Sequence, residues 1–159
     1  MARVNVFTDP YEYDDSDPDG YRGGALSAAG AVRGEGVNVS VYELPVDQSV
    51  CPYHYEYEEE WLVVLDGAVV VRTPEGEERL QRGEMISFPV GPAGAHKVTN
   101  RSDAIARVMM FSSAREPSVA VYPDSDKVGV TTRDDKVMLR RRDGSVGYWA
   151  GETGETGAS

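Results

Sequence analysis

Residues 54–80 read HYEYEEEWLVVLDGAVVVRTPEGEERL. Two apolar runs rich in β-branched residues, 62–65 and 68–71, meet at Asp66-Gly67. Asp-Gly between such runs is a strong hairpin signal, because both residues tolerate positive φ. Pro74-Glu75-Gly76 marks a second turn. Before the first run stand four glutamates within five positions, Glu56 to Glu60, and one of the chain's two histidines, His54. The fold question and the function question therefore meet in one stretch.

Outward from it the same style continues. VNVSVYEL (37–44) alternates, with Val37, Val39 and Val41 on one face and Asn38, Ser40 and Tyr42 on the other. EMISFPV (84–90) is a short strand entering the Gly/Pro loop GPAGAH (91–96), and HKVTN and IARVMMF follow around a polar turn at 100–103. Turn signals recur about every ten residues and no stretch keeps a helical period, which predicts an all-β sandwich or barrel. Residues 8–36, rich in Asp, Gly, Pro and Tyr, read as an arm that packs on the body or on a partner subunit. The expected organisation is an arm at 1–36, a barrel core at 37–115, further strands at 116–150 with an aromatic closing turn VGYWAG, and a polar, disordered tail at 151–159.

Composition limits the function classes. The net charge of −11 over 159 residues leaves no basic concentration suited to nucleic acid or to an anionic membrane surface. No run of about 18 apolar residues occurs, the N-terminus has no signal-like apolar segment, and the single Cys51 has no internal disulfide partner. The expectation is a cytoplasmic protein.

The second histidine, His96, stands where the 91–96 loop turns back into a strand, as His54 does after Pro52. Positions i and i+2 of a strand share a face, so His54 and Glu56 point the same way. A solvated acidic face is one reading of this cluster. Convergence of N and O donors on a metal ion is the other. Glu60 opens a buried run and belongs with the second reading, whereas Glu58 and Glu59 read as a solvated edge. Tyr53, Tyr55 and Tyr57 fall on the opposite parity and read as sheet-packing or interface residues. Cys51 has the wrong parity for the site and reads as a small apolar residue.

These residues resemble the cupins, jelly-roll barrels with two motifs. The first runs Gly, five residues, His-x-His, three or four residues, Glu, six residues, Gly. Here it is Gln48, five residues, His54-Tyr55-Glu56, three residues, Glu60, six residues, Gly67. The second runs Gly, five residues, Pro-x-Gly, a short gap, His, three residues, Asn. Here it is Gly83, Pro89-Val90-Gly91, four residues, His96, three residues, Asn100. The resemblance covers about residues 37–112. It implies an antiparallel double-stranded β-helix, a homodimer, and a divalent ion (Fe, Mn or Zn) held by His54, Glu60 and His96, with Glu56 as the fourth metal ligand where the family has its second histidine, or as a free acid/base group beside the ion. It implies a metal-binding protein acting on a small organic molecule, as oxygenase or isomerase. A non-catalytic binding or sensor protein, and a metal-free isomerase or epimerase using Glu56 and Glu60 as an acid/base pair, stay open. Because ligating histidines must be neutral, metal affinity is expected to fall below about pH 6.5.

Overall fold

A computed structural model describes residues 3–26, 36–132 and 134–140. The closing turn VGYWAG and the polar tail lie outside the described residues. The described chain forms thirteen strands: β1 (Tyr11–Tyr13), β2 (Gly24–Leu26), β3 (Val37–Leu44), β4 (Tyr55–Glu56), β5 (Glu60–Asp66), β6 (Ala68–Thr73), β7 (Gly76–Gln81), β8 (Met85–Phe88), β9 (Lys97–Thr99), β10 (Ala106–Ser113), β11 (Ser118–Tyr122), β12 (Lys127–Thr131) and β13 (Lys136–Arg140). No helix among the described residues is long and apolar enough to cross a membrane. All pairings are antiparallel.

One wall is a six-stranded sheet in the order β1-β2-β3-β10-β5-β8. The N-terminal arm thus contributes two strands to the body's own sheet. Facing this wall are the sheets β7-β6-β9 and β13-β12-β11-β4. The segment before β4 runs beside β9, through the Val50 N–H to the Val98 carbonyl (3.0 Å) and the Asn100 N–H to the Gln48 carbonyl (2.9 Å). Between the walls lies one core of Leu44, Leu62, Val64, Val69, Val71, Leu80, Phe88, Val98, Ala106, Val108 and Met110. Leu62 is fully buried at its centre. Leu62→Ala should therefore cost about 2–5 kcal/mol, the range for cavity-forming core truncations, as read from the denaturant midpoint.

Asp66-Gly67 is not a hairpin. β5 pairs with β8 and β10, while β6 pairs with β7 and β9. At Gly67 (φ 73°) the chain passes from one sheet to the other, and a Cβ there would meet the Ile105 carbonyl oxygen at 3.0 Å. The expected turn at Pro74-Glu75-Gly76 does close a hairpin, between β6 and β7.

The alternation of β3 is present, with its polar face turned inward. Val37, Val39 and Val41 share a face with their β10 partners Ser113, Phe111 and Met109, and with Trp61 and Val63 of β5, which pair with Phe111 and Met109. The core residues Leu44, Met110, Val108 and Leu62 lie on the other face, with Asn38, Ser40 and Tyr42. Asn100 is a structural pin rather than a site residue. Its amide donates to the Leu44 carbonyl (2.8 Å) and the Ala104 carbonyl (2.7 Å), and its Oδ1 accepts from the Ser102 N–H (2.9 Å) and hydroxyl (2.7 Å). All of its hydrogen-bonding capacity goes to holding the β9–β10 turn against the end of β3.

Candidate metal centre

His54 and His96 face each other across an isolated antiparallel bridge. Each backbone N–H donates to the other's carbonyl, at 3.1 Å and 2.8 Å. This places the two imidazoles side by side, with ring centroids 4.7 Å apart. The two rings are oriented by the same local device. Nδ1–H of His54 donates to the Pro52 carbonyl (3.0 Å), and Nδ1–H of His96 donates to the Gly94 carbonyl (2.9 Å), each two residues upstream. A carbonyl only accepts, so Nδ1 carries the proton and Nε2 keeps a free lone pair. A carbonyl partner on the remote nitrogen is the usual outer support of a metal-ligating histidine.

The Gly/Pro loop sets this geometry for His96. Gly94 packs so closely on Pro89 that a Cβ would lie 1.8 Å from the Pro89 carbonyl oxygen. The Gly91 N–H, at φ 81°, donates to the Glu56 carbonyl at 2.7 Å. Phe88 stacks on the His96 ring at 3.6 Å between centroids and 7° between planes. Tyr122 stacks on His54 at 5.7 Å.

Glu60, the first residue of β5, points inward from the opposite wall. Its Oε2 lies 3.6 Å from His96 Nε2 and 3.8 Å from His54 Nε2. These separations are too long for hydrogen bonds. Glu60 Oε2 and His96 Nε2 are both buried and have no hydrogen-bond partner. Such orphaned groups are rare in folded proteins and call for a specific cause. One donor atom from each of His54, Glu60 and His96 lies within 4.8 Å of the others. Donors bound about 2.0–2.2 Å from one ion at the tetrahedral angle stand about 3.4 Å apart. The donor set therefore fits a divalent ion with little adjustment, and its chemistry, two imidazoles and a carboxylate, suits Zn²⁺, Fe²⁺ or Mn²⁺.

Glu56 lies on the same side as His54, as the i, i+2 rule requires, with Oε1 3.9 Å from His54 Nε2. It stands at the edge of the three-residue cluster, and its side chain is the most accessible of the four. Glu58 is a correction. It is buried (7% exposed), not part of a solvated edge, and it interacts with Glu56. Its even position, shared with Glu56 and Glu60, is the signal that finds it. Glu59 is exposed as expected, and its Oε1 accepts from the Trp61 indole N–H at 2.6 Å. Cys51 touches the site despite its parity, with Sγ 3.4 Å from His54 Nδ1. Burial, reinforced by Glu60 and Glu56, pushes its thiol up to about 12, so it stays protonated and is no nucleophile. Of the three tyrosines, Tyr53 is buried under the Arg72 guanidinium, 3.9 Å from its ring centre, and Tyr57 is exposed.

Burial dominates the electrostatics. It pushes Glu60 up to about 8, with Glu56 and Glu58 adding to the effect. It pushes Glu56 up to about 7, helped by the charge of Glu58 and a hydrogen bond with it. It pulls His96 down to about 4, His54 adding to the effect, and lowers His54 as well. His96 therefore stays neutral well below pH 6.5, and His54 shifts in the same direction. The expected proton competition at the histidines is replaced by competition at the carboxylates.

A cupin-domain family model matches residues 40–112. Residues 40–112 are thus a cupin domain, and the described chain has the cupin fold. This cupin is 31% identical over 75 residues to the tetracenomycin polyketide synthase protein TcmJ of Streptomyces glaucescens, over 47% of this chain and 49% of that protein. It spans about half the length of the curated relative it matches. Two solved structures share its fold. One is described as a sugar phosphate isomerase of the cupin superfamily from Silicibacter pomeroyi (TM-score 0.76, 21% identity, 90% of this chain and 94% of that chain). The other is the polyketide cyclase RemF from Streptomyces resistomycificus (TM-score 0.58, 19% identity, 74% of this chain and 83% of that chain).

Proposed function

We propose that this cupin holds a divalent metal ion at His54, Glu60 and His96 and acts on a small organic molecule by proton transfer, as an isomerase-type enzyme. The observation that carries the reading is the convergence of buried, unpartnered lone pairs on His96 Nε2 and Glu60 Oε2 beside His54 Nε2. An ion held there by His54, Glu60 and His96 would supply Lewis acidity toward a substrate oxygen. The chain's own residues do the rest. The Pro52 and Gly94 carbonyls fix the two rings, and Phe88 and Tyr122 stack on them. Glu56, the accessible carboxylate, exchanges a proton with the substrate. Its elevation to about 7 suits that task at neutral pH, because a group near the working pH both takes and returns protons readily. The polyketide name of the curated relative makes polyketide-type compounds the first substrates to test.

Elemental analysis of the purified protein should find about one divalent ion per chain. Glu56→Gln should leave that content intact and lower turnover about 10²–10⁴-fold, the usual contribution of a general acid or base. Loss of metal in Glu56→Gln would make Glu56 a ligand instead. Full activity of thoroughly chelated protein would support the metal-free pair of Glu56 and Glu60. Oxygen consumption coupled to turnover would make the chemistry oxygenase-type.

A further inference from the structure

On the inner face of the six-stranded wall, a polar row leads up to Glu60. Register sets Asn38 of β3 opposite Ser112 of β10, and Ser112 opposite Glu60 of β5. Directly opposed side chains on one sheet face stand about 4.5–5.5 Å apart at Cβ. Ser112 therefore flanks the carboxylate that faces the two histidines. One step further in, Ser40 shares its row with Met110 and Leu62, and its hydroxyl shares a hydrogen bond with Tyr42. Asn38 is exposed, Ser112 and Ser40 are half-buried, and Met110 and Leu62 are buried. The row thus runs from solvent to the candidate metal centre and stops at the apolar core. Among the described residues, the Asn38 amide and the Ser112 hydroxyl have no hydrogen-bond partner. Both can give and accept hydrogen bonds.

The ionisable groups beside this row are of one kind. Glu56, Glu58 and Glu60 bring three carboxyls, and the charges acting on Glu56 and Glu60 are those of neighbouring carboxyls. Among the described residues, no Arg or Lys acts on either. Arg72 is engaged by Asp124 at 2.6 and 3.1 Å, Arg101 by Asp47 at 2.8 Å, and Lys97 by the Tyr21 hydroxyl at 3.1 Å. A bound phosphate or carboxylate is ordinarily met by Arg, Lys or backbone N–H groups. A carboxyl, ionised or not, offers it no positive charge. A divalent ion held there would have its own charge offset by Glu60 and Glu56. Hydroxyls and an amide are suited instead to neutral oxygens, and a site built to hydrogen-bond them rejects molecules that lack them.

We infer that the substrate of this centre is an uncharged, oxygen-rich molecule whose hydroxyl or carbonyl oxygens are bound by Asn38, Ser40 and Ser112, and that phosphorylated and carboxylated molecules are excluded. The inference rests on the proposed reading of the centre as one that acts on a small organic molecule. The three residues set specificity. They hold neither the ion nor the transferred proton.

NMR titration of the full chain, with and without Zn²⁺, tests this with two matched pairs. One is resorcinol against phenyl phosphate, and the other is D-fructose against its terminal phosphate ester. In each pair the neutral member should bind at least about 10-fold more tightly, because like charges brought together are strongly disfavoured. Asn38→Ala and Ser112→Ala lie at the solvent end of the row, so both should fold, as circular dichroism will show. Each should weaken the neutral member by about 2–10-fold, the worth of one hydrogen bond, and leave Zn²⁺ content unchanged. Tighter binding of either phosphate would overturn the inference. Its loss in Lys127→Met would then make Lys127, whose Nζ lies 5.4 Å from the Tyr122 ring centre, the partner of the anion. Failure of both neutral compounds to bind, or binding unchanged in both variants, would overturn it as well. Failure of the metal reading looks different, since the protein would take up no Zn²⁺ and still prefer the neutral member of each pair.

Discussion

His96→Ala should abolish stoichiometric metal binding. His96 is one of only two histidines, so no other imidazole can take its place. Altering a residue that merely supports a metal ligand costs about 10–100-fold in affinity, and removing the ligand itself should exceed that range. Isothermal titration with Zn²⁺ or Mn²⁺ reads this directly. The substitution also leaves a void against Phe88, which stacks on the ring, so some stability is lost with the ligand. Phe88→Leu separates the two effects. It disturbs the same packing and keeps the imidazole, and it should retain metal. Equal metal content in wild type and His96→Ala would end the ligand assignment.

Glu60→Gln should move two properties in opposite directions. It keeps the shape of the side chain and removes its charge. Metal affinity falls, because an amide oxygen is a poorer ligand than a carboxylate. The metal-free protein becomes more stable at alkaline pH, because a buried carboxylate no longer has to ionise. The unfolded chain ionises Glu60 near 4.5, whereas the folded, metal-free chain holds the proton to about 8. Between those values the folded state binds more protons. The corresponding stability is full below about 4.5 and is lost as pH rises through about 8. Glu56 adds a smaller loss that ends near 7. His96 acts in the opposite sense, with stability lost as pH falls from 6.5 toward about 4, so measurements above pH 6.5 isolate the carboxylates. From pH 6.5 to 8 the metal-free wild type should lose about 2 kcal/mol, or about 4–8 °C in Tm, and Glu60→Gln should lose much less. In the presence of metal the wild-type trend reverses, since binding requires the ionised carboxylate. A flat profile for metal-free wild type would show that Glu60 is solvated.

The barrel and the convergence of three side chains were readable because spacing carries them. His54, Glu60 and His96 sit at the ends of strands whose turns are marked by Pro and Gly, and strand parity aims them inward. Glu58 obeys the same parity. Its burial was missed because Glu58 and Glu59 read together as a solvated edge, although only Glu59 has the outward parity. Asp66-Gly67 misled for a different reason. A glycine at positive φ serves a hairpin and a corner between sheets equally well, and only long-range pairing distinguishes them. The faces of β3 show a third limit. Alternation separates Val39 from Ser40, but which of them meets the core depends on what packs against the wall, and the polar row faces in. Asn100 was legible as a motif position, but its work in holding a turn was not, because its partners Leu44 and Ala104 are fixed by topology.

The bridge between His54 and His96 makes the centre sensitive to errors in assembly. The two imidazoles are neighbours because two strand ends, distant in sequence, pair in one particular frame. A slip by a single residue would turn one ring to the outside of the wall and leave Glu60 facing an incomplete set of ligands. Such a misthreaded chain could keep most of its sheet and still be blind to metal. Recovery of metal binding during refolding would then report correct threading of the barrel, a step that recovery of β-sheet dichroism would not resolve.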